Sequence, residues 1–330
     1  MTAEADPLSI GIVIPGHNFQ RNFDWILEAL APQVLPGDRI VAVDDHSTKP
    51  IRVGAYGDGV DVDVAEVTGR GGPGNRSAAR NVGWQRCDTA LIMFLDGDMV
   101  PGPHSLSAIR ALHARERSIV VKAERFALSS DDQSRGKREC LQMIADAWRW
   151  CEAVEGPDRT GGAAAANGPI CKSDRWYYAA SNAISVERRL VEATSGWDEG
   201  YTGWGEEDMD FAYRLHRAGA AFVFPPAEML YAVHLDHPVR PDRLASLRAN
   251  ARRFVARFPE VYDVRLPAYE ACGLHRADFD DLRGQRPPHA AIEDRCESLA
   301  ARIGRALGRW VSALTRPRTG SNWSDSVYYR

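Results

Sequence analysis

The chain has 330 residues, 44% of them apolar, a size that suits one large α/β domain with an extension or two modest domains. Its 41 basic and 45 acidic residues leave a net charge of −4, so no strong global field draws it onto nucleic acid. Six cysteines (Cys87, Cys140, Cys151, Cys171, Cys272 and Cys296) are scattered without C-x-x-C pairs, which argues against a zinc knuckle and for reduced thiols.

The first hundred residues alternate strand and helix signals. Ile10 to Ile14 is a continuous apolar run ended by Pro15-Gly16, and Asn22 to Leu30 reads as a helix stopped near Pro32 and Pro36. Arg39 to Val43 predicts a second buried strand closing on Asp44-Asp45. Val60 to Val67 predicts a third, Ser77 to Gln85 a helix, and Ala90 to Leu95 a fourth strand ending on Asp96-Gly97-Asp98. This alternation implies a mostly parallel sheet with helices on both faces, whose ligands bind beyond the carboxyl ends of the strands. Three polar clusters, Pro15 to Asn18, Asp44-Asp45 and Asp96 to Asp98, therefore converge on one edge.

The middle of the chain is looser. Ser129 to Arg138 is polar, and Gly156 to Ser173, with Gly161-Gly162, an alanine run and Gly168-Pro169, reads as a mobile loop over the site. Helices return at Met209 to Ala218 and Asp242 to Phe258, Gly284 to Pro288 is a break, and Ala291 to Thr315 reads as a long helix. We expect a catalytic domain over residues 1–283 and a helical extension over 284–330. In that extension Ile292, Cys296, Leu299, Ile303, Leu307, Trp310 and Leu314 recur at spacings of three and four. Such a stripe packs on the catalytic domain, forms a homodimer seam or touches an anionic membrane surface. No basic segment precedes an apolar stretch at the N-terminus, and no apolar run approaches the roughly 20 residues of a spanning helix. A soluble cytoplasmic protein is the expectation.

The chemistry-bearing segments each have a plainer reading. Asp96 and Asp98 flank one glycine on a turn, where carboxylates can share one hard divalent cation and a diphosphate; Asp-Gly is also a common turn pair. Asp44-Asp45 can accept hydrogen bonds from a base or ribose, or simply cap a turn before His46-Ser47-Thr48. Gly69 to Gly74 satisfies G-x-G-x-x-G with Asp96 further on, close to a dinucleotide fingerprint. Against that reading, a whole βα unit precedes it and Pro73 removes a backbone donor. Arg76, Arg80 and Asn81 follow it, and the Arg80 fork suits a base or phosphate, or a solvated surface. Gly203-Trp204-Gly205-Glu206-Glu207-Asp208-Met209-Asp210 opens a helix with more acids than dipole capping needs. Its glycines around Trp204 suggest a tight surface for a flat ligand, and a carboxylate at the helix start is ready to accept a proton. His234 follows an apolar strand and can complete a metal shell begun by Asp98; His237, before Pro238 in a turn, is the weaker candidate.

Together these residues resemble the family 2 glycosyltransferases of the GT-A fold. The family's opening V-I-P-x-Y-N turn corresponds to Val13-Ile14-Pro15-Gly16-His17-Asn18, its V-D-D-x-S to Val43-Asp44-Asp45-His46-Ser47, its A-R-N-x-G to Ala79-Arg80-Asn81-Val82-Gly83 and its D-x-D to Asp96-Gly97-Asp98. The G-W-G-x-E-D segment with a later histidine is similar to the chondroitin-polymerase and galactosyltransferase-like branch. The resemblance covers residues 8 to 240. It implies that Pro15, Gly16, His17, Asp44 and Asp45 border the nucleotide, with Arg80, Asp96, Trp204 and Glu207 around the donor and acceptor. It implies that Asp98 and His234 hold Mn²⁺ or Mg²⁺ and that Asp208 is the catalytic base. His17 for the usual Tyr and Glu206 for the usual small residue are departures. The implied activity is inverting transfer of a sugar from a nucleotide-diphosphate donor, a UDP-sugar by expectation, to an acceptor that is a glycan, a small metabolite or a peptide. A nicotinamide-dependent oxidoreductase built on the glycine segment and a non-catalytic sugar-nucleotide or glycan-binding module are the alternatives. A helix wheel places Asp208 with Ala212 and Leu215 on the inward face, and Glu207 with Phe211 and Arg214 towards an acceptor.

Overall fold

Apolar runs bounded by turn residues become the strands of a twisted sheet in a computed structural model, which describes residues 8–54, 60–68, 74–150, 172–237 and 243–285. The order begins β1 (Ile10–Gly16), α1 (Gln20–Leu30), β2 (Arg39–Asp44), β3 (Val62–Glu66), α2 (Arg76–Gln85) and β4 (Leu91–Leu95). It continues through β5 (Met99–Pro101), α3 (Ser105–Arg115), β6 (Ile119–Lys122), β7 (Glu124–Leu128), α4 (Ser130–Gln133), α5 (Lys137–Ala145) and α6 (Ala147–Trp150). After 151–171, which lies outside the described residues, come β8 (Ala183–Glu187), α7 (Arg188–Ala193), α8 (Glu207–Arg217), β9 (Ala221–Val223) and β10 (Tyr231–Leu235). Among the described residues, α9 (Arg243–Arg257) and α10 (Tyr262–Ala271) follow.

Among the described residues, seven strands form one sheet in the order β3-β2-β1-β4-β8-β6-β9, and three form a second in the order β5-β10-β7. β1 pairs in parallel with β2 and with β4, as the alternating pattern predicts. β8 enters antiparallel between β4 and β6. The pleat sends Ile12 and Ile14 to one face and Val13 to the other. The first face packs under Phe23, Ile26, Leu27 and Leu30 of α1. On the other face α2 lies close enough that a Cβ on Gly83 would meet Val13 Cγ1 at 2.2 Å.

The structure adds elements that the sequence does not announce: β5 to β9, α3, α5 to α7, α10 and the second sheet. The polar stretch Ser129 to Arg138 is helical in part, because Ser129 Oγ accepts the Asp132 N–H and starts α4. Chain compactness divides the molecule into Met1–Ala251 and Arg252–Arg330. In the second unit Phe279 stacks on Tyr269 at 5.2 Å and meets Tyr262 edge-on at 5.4 Å. The expected long helix and its apolar stripe lie outside the described residues, as do the loop predicted from Gly156, except Lys172 and Ser173, and the glycine segment, except Gly74. Among the described residues no helix is long and apolar enough to cross a membrane.

Candidate active site

Parallel pairing brings the three predicted clusters to one edge. Gly16 is in register with Asp44, the Asp45 N–H donates to the Gly16 carbonyl at 2.8 Å, and the Gly97 N–H donates to the Pro15 carbonyl at 3.1 Å. Asn182, just ahead of β8, accepts the Asp96 N–H at 3.0 Å through its carbonyl, and its side-chain oxygen accepts from the buried Lys122 Nζ at 2.6 Å. Neither Lys122 nor Asn182 carried a sequence signal, because their proximity depends on the antiparallel insertion of β8.

The first cluster is internally fixed. Asn18 Oδ1 accepts from both the backbone N–H and the hydroxyl of Thr48, at 2.8 and 2.9 Å. Its amide nitrogen therefore donates to His17 Nε2 at 2.8 Å, which puts the ring proton on Nδ1, donating to the Asp45 carbonyl at 2.8 Å. Both ring nitrogens are spent, so His17 has its faces to offer a ligand. Asp44 Oδ1 accepts the Ser47 N–H at 2.7 Å, the turn-capping role. Asp45 Oδ2 accepts the Gly74 N–H at 2.7 Å. The described end of the glycine segment thus binds a protein carboxylate, and Asn75 then caps α2 by accepting from Ala78 N.

The two acids of Asp96-Gly97-Asp98 face different partners. The Leu235 N–H donates to the Asp98 carbonyl, and β10 pairs with β5 so that His234 lies opposite Met99, one residue past Asp98. His234 Nε2 and His237 Nε2 lie 3.5 and 3.1 Å from Asp98 Oδ2. Asp98, His234 and His237 each offer a ligand atom within 4.8 Å of the others. From the sequence His234 ranks above His237, whereas the structure brings both to the carboxylate. The reason is that the Asp236 N–H bonds the Leu128 carbonyl, extending the strand one step and carrying His237 back to Asp98. Burial alone would push the Asp98 carboxyl up, but hydrogen bonds and charge from the two histidines hold it well below the usual carboxylate range. One carboxylate and two imidazoles fit a divalent transition cation, and the imidazoles tilt the set from Mg²⁺ towards Mn²⁺.

Asp96 instead accepts from Arg80 Nη2 at 2.7 Å. The Arg80 side chain is 2% exposed, and its Nη1 lies 3.6 Å from Glu207 Oε1. Burial would pull this guanidinium down, but Asp96 and Glu207 hold it above its ordinary value. Its fork is thus turned to protein carboxylates and not to an open pocket. Glu207 is buried as well, and Arg76 Nη1 approaches the same oxygen at 3.6 Å. This corrects the helix-wheel expectation, because both faces of α8 are covered. Phe211 stacks on Trp197 at 4.2 Å, Arg214 donates to the carbonyls of Thr194 and Gly196, and Ala212 and Leu215 are buried. Asp208 is the more exposed acid of the pair, with Oδ1 accepting the Met209 N–H at 2.8 Å.

The loop ahead of α8 gives its glycines a different purpose from the flat-ligand surface expected of them. Gly203 and Gly205 have φ of 72° and 100°, and a Cβ on either would strike Ser246 or Leu247 of α9. Asn250 binds this loop by donating to the carbonyls of Thr202, Trp204 and Gly205. The glycines therefore seat the loop on α9, and the Arg243 guanidinium covers one face of Trp204 at 3.7 Å. Glu206 sits at φ 67°, a left-handed backbone that favours the small residue usual in the resembling family.

Comparison with known proteins agrees with this architecture. The model of the family "Glycosyltransferase like family 2" matches residues 12–255. Validoxylamine A glucosyltransferase of Streptomyces hygroscopicus subsp. limoneus is 25% identical over 293 residues, which cover 84% of this chain and 62% of that protein. The chain thus spans less than two thirds of that relative's length. Among solved structures, residues 1–349 of S. aureus TarS in complex with UDP-GlcNAc superpose with a TM-score of 0.54 at 15% identity, covering 84% of this chain and 80% of that one. GalNAc-T7 with UDP, GalNAc and Mn²⁺ superposes with a TM-score of 0.52 at 15% identity, covering 85% and 54%. With the family matched over residues 12–255, the chain belongs to the family 2-like glycosyltransferases and has the GT-A fold.

Proposed function

We propose that the protein is a metal-dependent inverting glycosyltransferase that moves a sugar from a UDP-sugar to an acceptor nucleophile. The observation that carries this reading is the convergence of Asp98, His234 and His237 beside Asp96 at the edge where β1, β2 and β4 end. These three residues would hold Mn²⁺, or Mg²⁺ less well. When bound, such an ion offsets charge on the departing diphosphate. The named ligands of two fold neighbours, UDP with Mn²⁺ in one and UDP-GlcNAc in the other, support the same donor class.

In this reading the His17 ring face lies against the base, Asp45, which accepts the Gly74 N–H, borders it, and Asp96 faces the ribose side of the donor. Asp208 at the start of α8 takes the proton from the acceptor hydroxyl as its oxygen attacks the anomeric carbon. The bond from that carbon to the diphosphate oxygen breaks, and nucleoside diphosphate leaves from the opposite face, inverting the configuration. Trp204, under the Arg243 guanidinium, borders the acceptor side.

The test is release of nucleoside diphosphate from a panel of UDP-sugars, followed by mass spectrometry with Mn²⁺ or with EDTA. Asp208→Asn is nearly isosteric and should lose about 10²–10⁴-fold in turnover while keeping UDP affinity. Near-wild-type turnover in that variant removes Asp208 from the role of base.

A further inference from the structure

The A-R-N-x-G segment of α2 does something its sequence does not announce. Asn81 Oδ1 accepts the Trp197 N–H at 2.8 Å, and Asn81 Nδ2 donates to the Trp197 carbonyl at 2.9 Å. One side chain thus fastens the Trp197 backbone to α2. The Trp197 ring lies between Phe211 of α8, stacked at 4.2 Å, and Phe94 of β4, edge-on at 5.2 Å. The Arg80 guanidinium lies 4.5 Å from the centre of that ring, nearly removed from solvent. From there it reaches Asp96, after β4, and Glu207, the first residue of α8. Strand end, helix start and α2 therefore meet on one cation.

For packing alone, an apolar side chain of similar size on Trp197 would serve without desolvating a charge. Arg80 also keeps Nε and Nη1 without a hydrogen-bond partner among the described residues, a cost that plain structural duty does not explain. What the charge achieves is to hold two carboxylates from different elements at fixed separation. Asp96 stands two residues before Asp98, and Glu207 stands next to Asp208.

We propose that Arg80, seated on Trp197, is a positioning residue that fixes Asp96 and Glu207 as one unit and so sets the distance between the donor side and the base on α8. This rests on the transferase reading above. Arg80 touches neither donor nor acceptor; it acts through the two carboxylates. Loss of the pin misplaces the base relative to the anomeric carbon, which lowers kcat far more than it weakens nucleotide binding.

The experiment compares Arg80→Met, Arg80→Lys, Glu207→Gln and Arg80→Met/Glu207→Gln with wild type, each checked for folding by circular dichroism. With Mn²⁺ and the best UDP-sugar donor, Arg80→Met should lower kcat by about 10²-fold, with no recovery at saturating donor, and raise the UDP Kd by much less, about tenfold at most. Arg80→Lys keeps the charge without the fork and should fall between the two; it carries the test if the methionine variant does not fold. The double variant should be no slower than Arg80→Met, because both changes break one unit. A raised donor KM with intact kcat, unchanged kinetics, or additive losses in the double variant would each overturn the proposal. Hydrogen exchange gives a ligand-free arm: amides of residues 96–98 and 203–210 should exchange faster in Arg80→Met, or in Arg80→Lys if only that variant folds. If wild type turns over no donor, the transferase reading fails and exchange alone decides the pin; unchanged protection at both segments then refutes it.

Discussion

Acidification offers a sharp test of the packing beneath the sheet edge. His113 on α3 is 1% exposed, and its Nε2 lies 3.0 Å from Ser185 Oγ on β8. Burial pushes this imidazole down from its ordinary 6.5 to about 4, against the opposing pull of Glu187. The folded state therefore prefers the uncharged ring. Its contribution to stability is fully present above the unfolded value of 6.5 and is lost as pH falls from there towards 4. Each pH step of one between those two values costs about 1.36 kcal/mol, so the penalty is about 2 kcal/mol at about pH 5 and about 3 kcal/mol below pH 4. The assay is urea denaturation followed by far-ultraviolet circular dichroism at about pH 7.5 and about pH 5, on wild type and His113→Gln. Groups common to both proteins cancel in the comparison. Wild type should lose about 2 kcal/mol more than the variant between the two conditions. Equal losses would refute the claim that His113 is held uncharged by burial.

Three further outcomes follow from the same structure. Gly83→Ala forces a methyl group into Val13 and should destabilise the fold by about 1–3 kcal/mol, read from the urea midpoint, whereas an unchanged midpoint would mean that α2 does not press on β1. Cys87 is 1% exposed and its thiol is pushed up to about 12, so iodoacetamide at about pH 8 should leave it unmodified in the native protein and label it after denaturation, as peptide mapping by mass spectrometry would show. His237→Ala and His234→Ala should each weaken Mn²⁺-supported UDP binding by about 10-fold or more, and an effect confined to His234 would restore the sequence-based ranking and remove His237 from the ligand set.

The edge where the polar clusters meet was legible because strands buried on both faces read as unbroken apolar runs, and each run gives way to a polar or turn segment at Pro15, Asp44 or Asp96. Parallel pairing then does the rest, since it carries every strand's carboxyl end to the same side. Less legible were the groups whose partners arrive from elsewhere. His237 looked like a turn residue because nothing local indicates that β10 lies beside β5 and extends its ladder past Leu235. Glu207 looked turned towards an acceptor because a helix wheel knows one helix and not its neighbours, and α8 is covered on both sides. Arg80 looked like a fork for a base or phosphate, or a surface residue, because its burial depends on Trp197, over a hundred residues later, which no local pattern marks. The glycines around Trp204 show the opposite case, in which a local pattern was plain but its cause, the close approach of α9, was not. The family resemblance located the same segments and did not reveal these contacts.

In the proposed reading, Asp98 and its two histidines form the metal site through which a nucleotide diphosphate is held. Calorimetry of UDP binding with and without Mn²⁺, on wild type and Asp98→Ala, tests it most directly. Wild type should bind UDP much more tightly with Mn²⁺ than with EDTA, and Asp98→Ala, still folded, should show no difference between the two. Equal Mn²⁺ enhancement in both proteins would contradict the account, because the cation would then be held somewhere other than Asp98, His234 and His237.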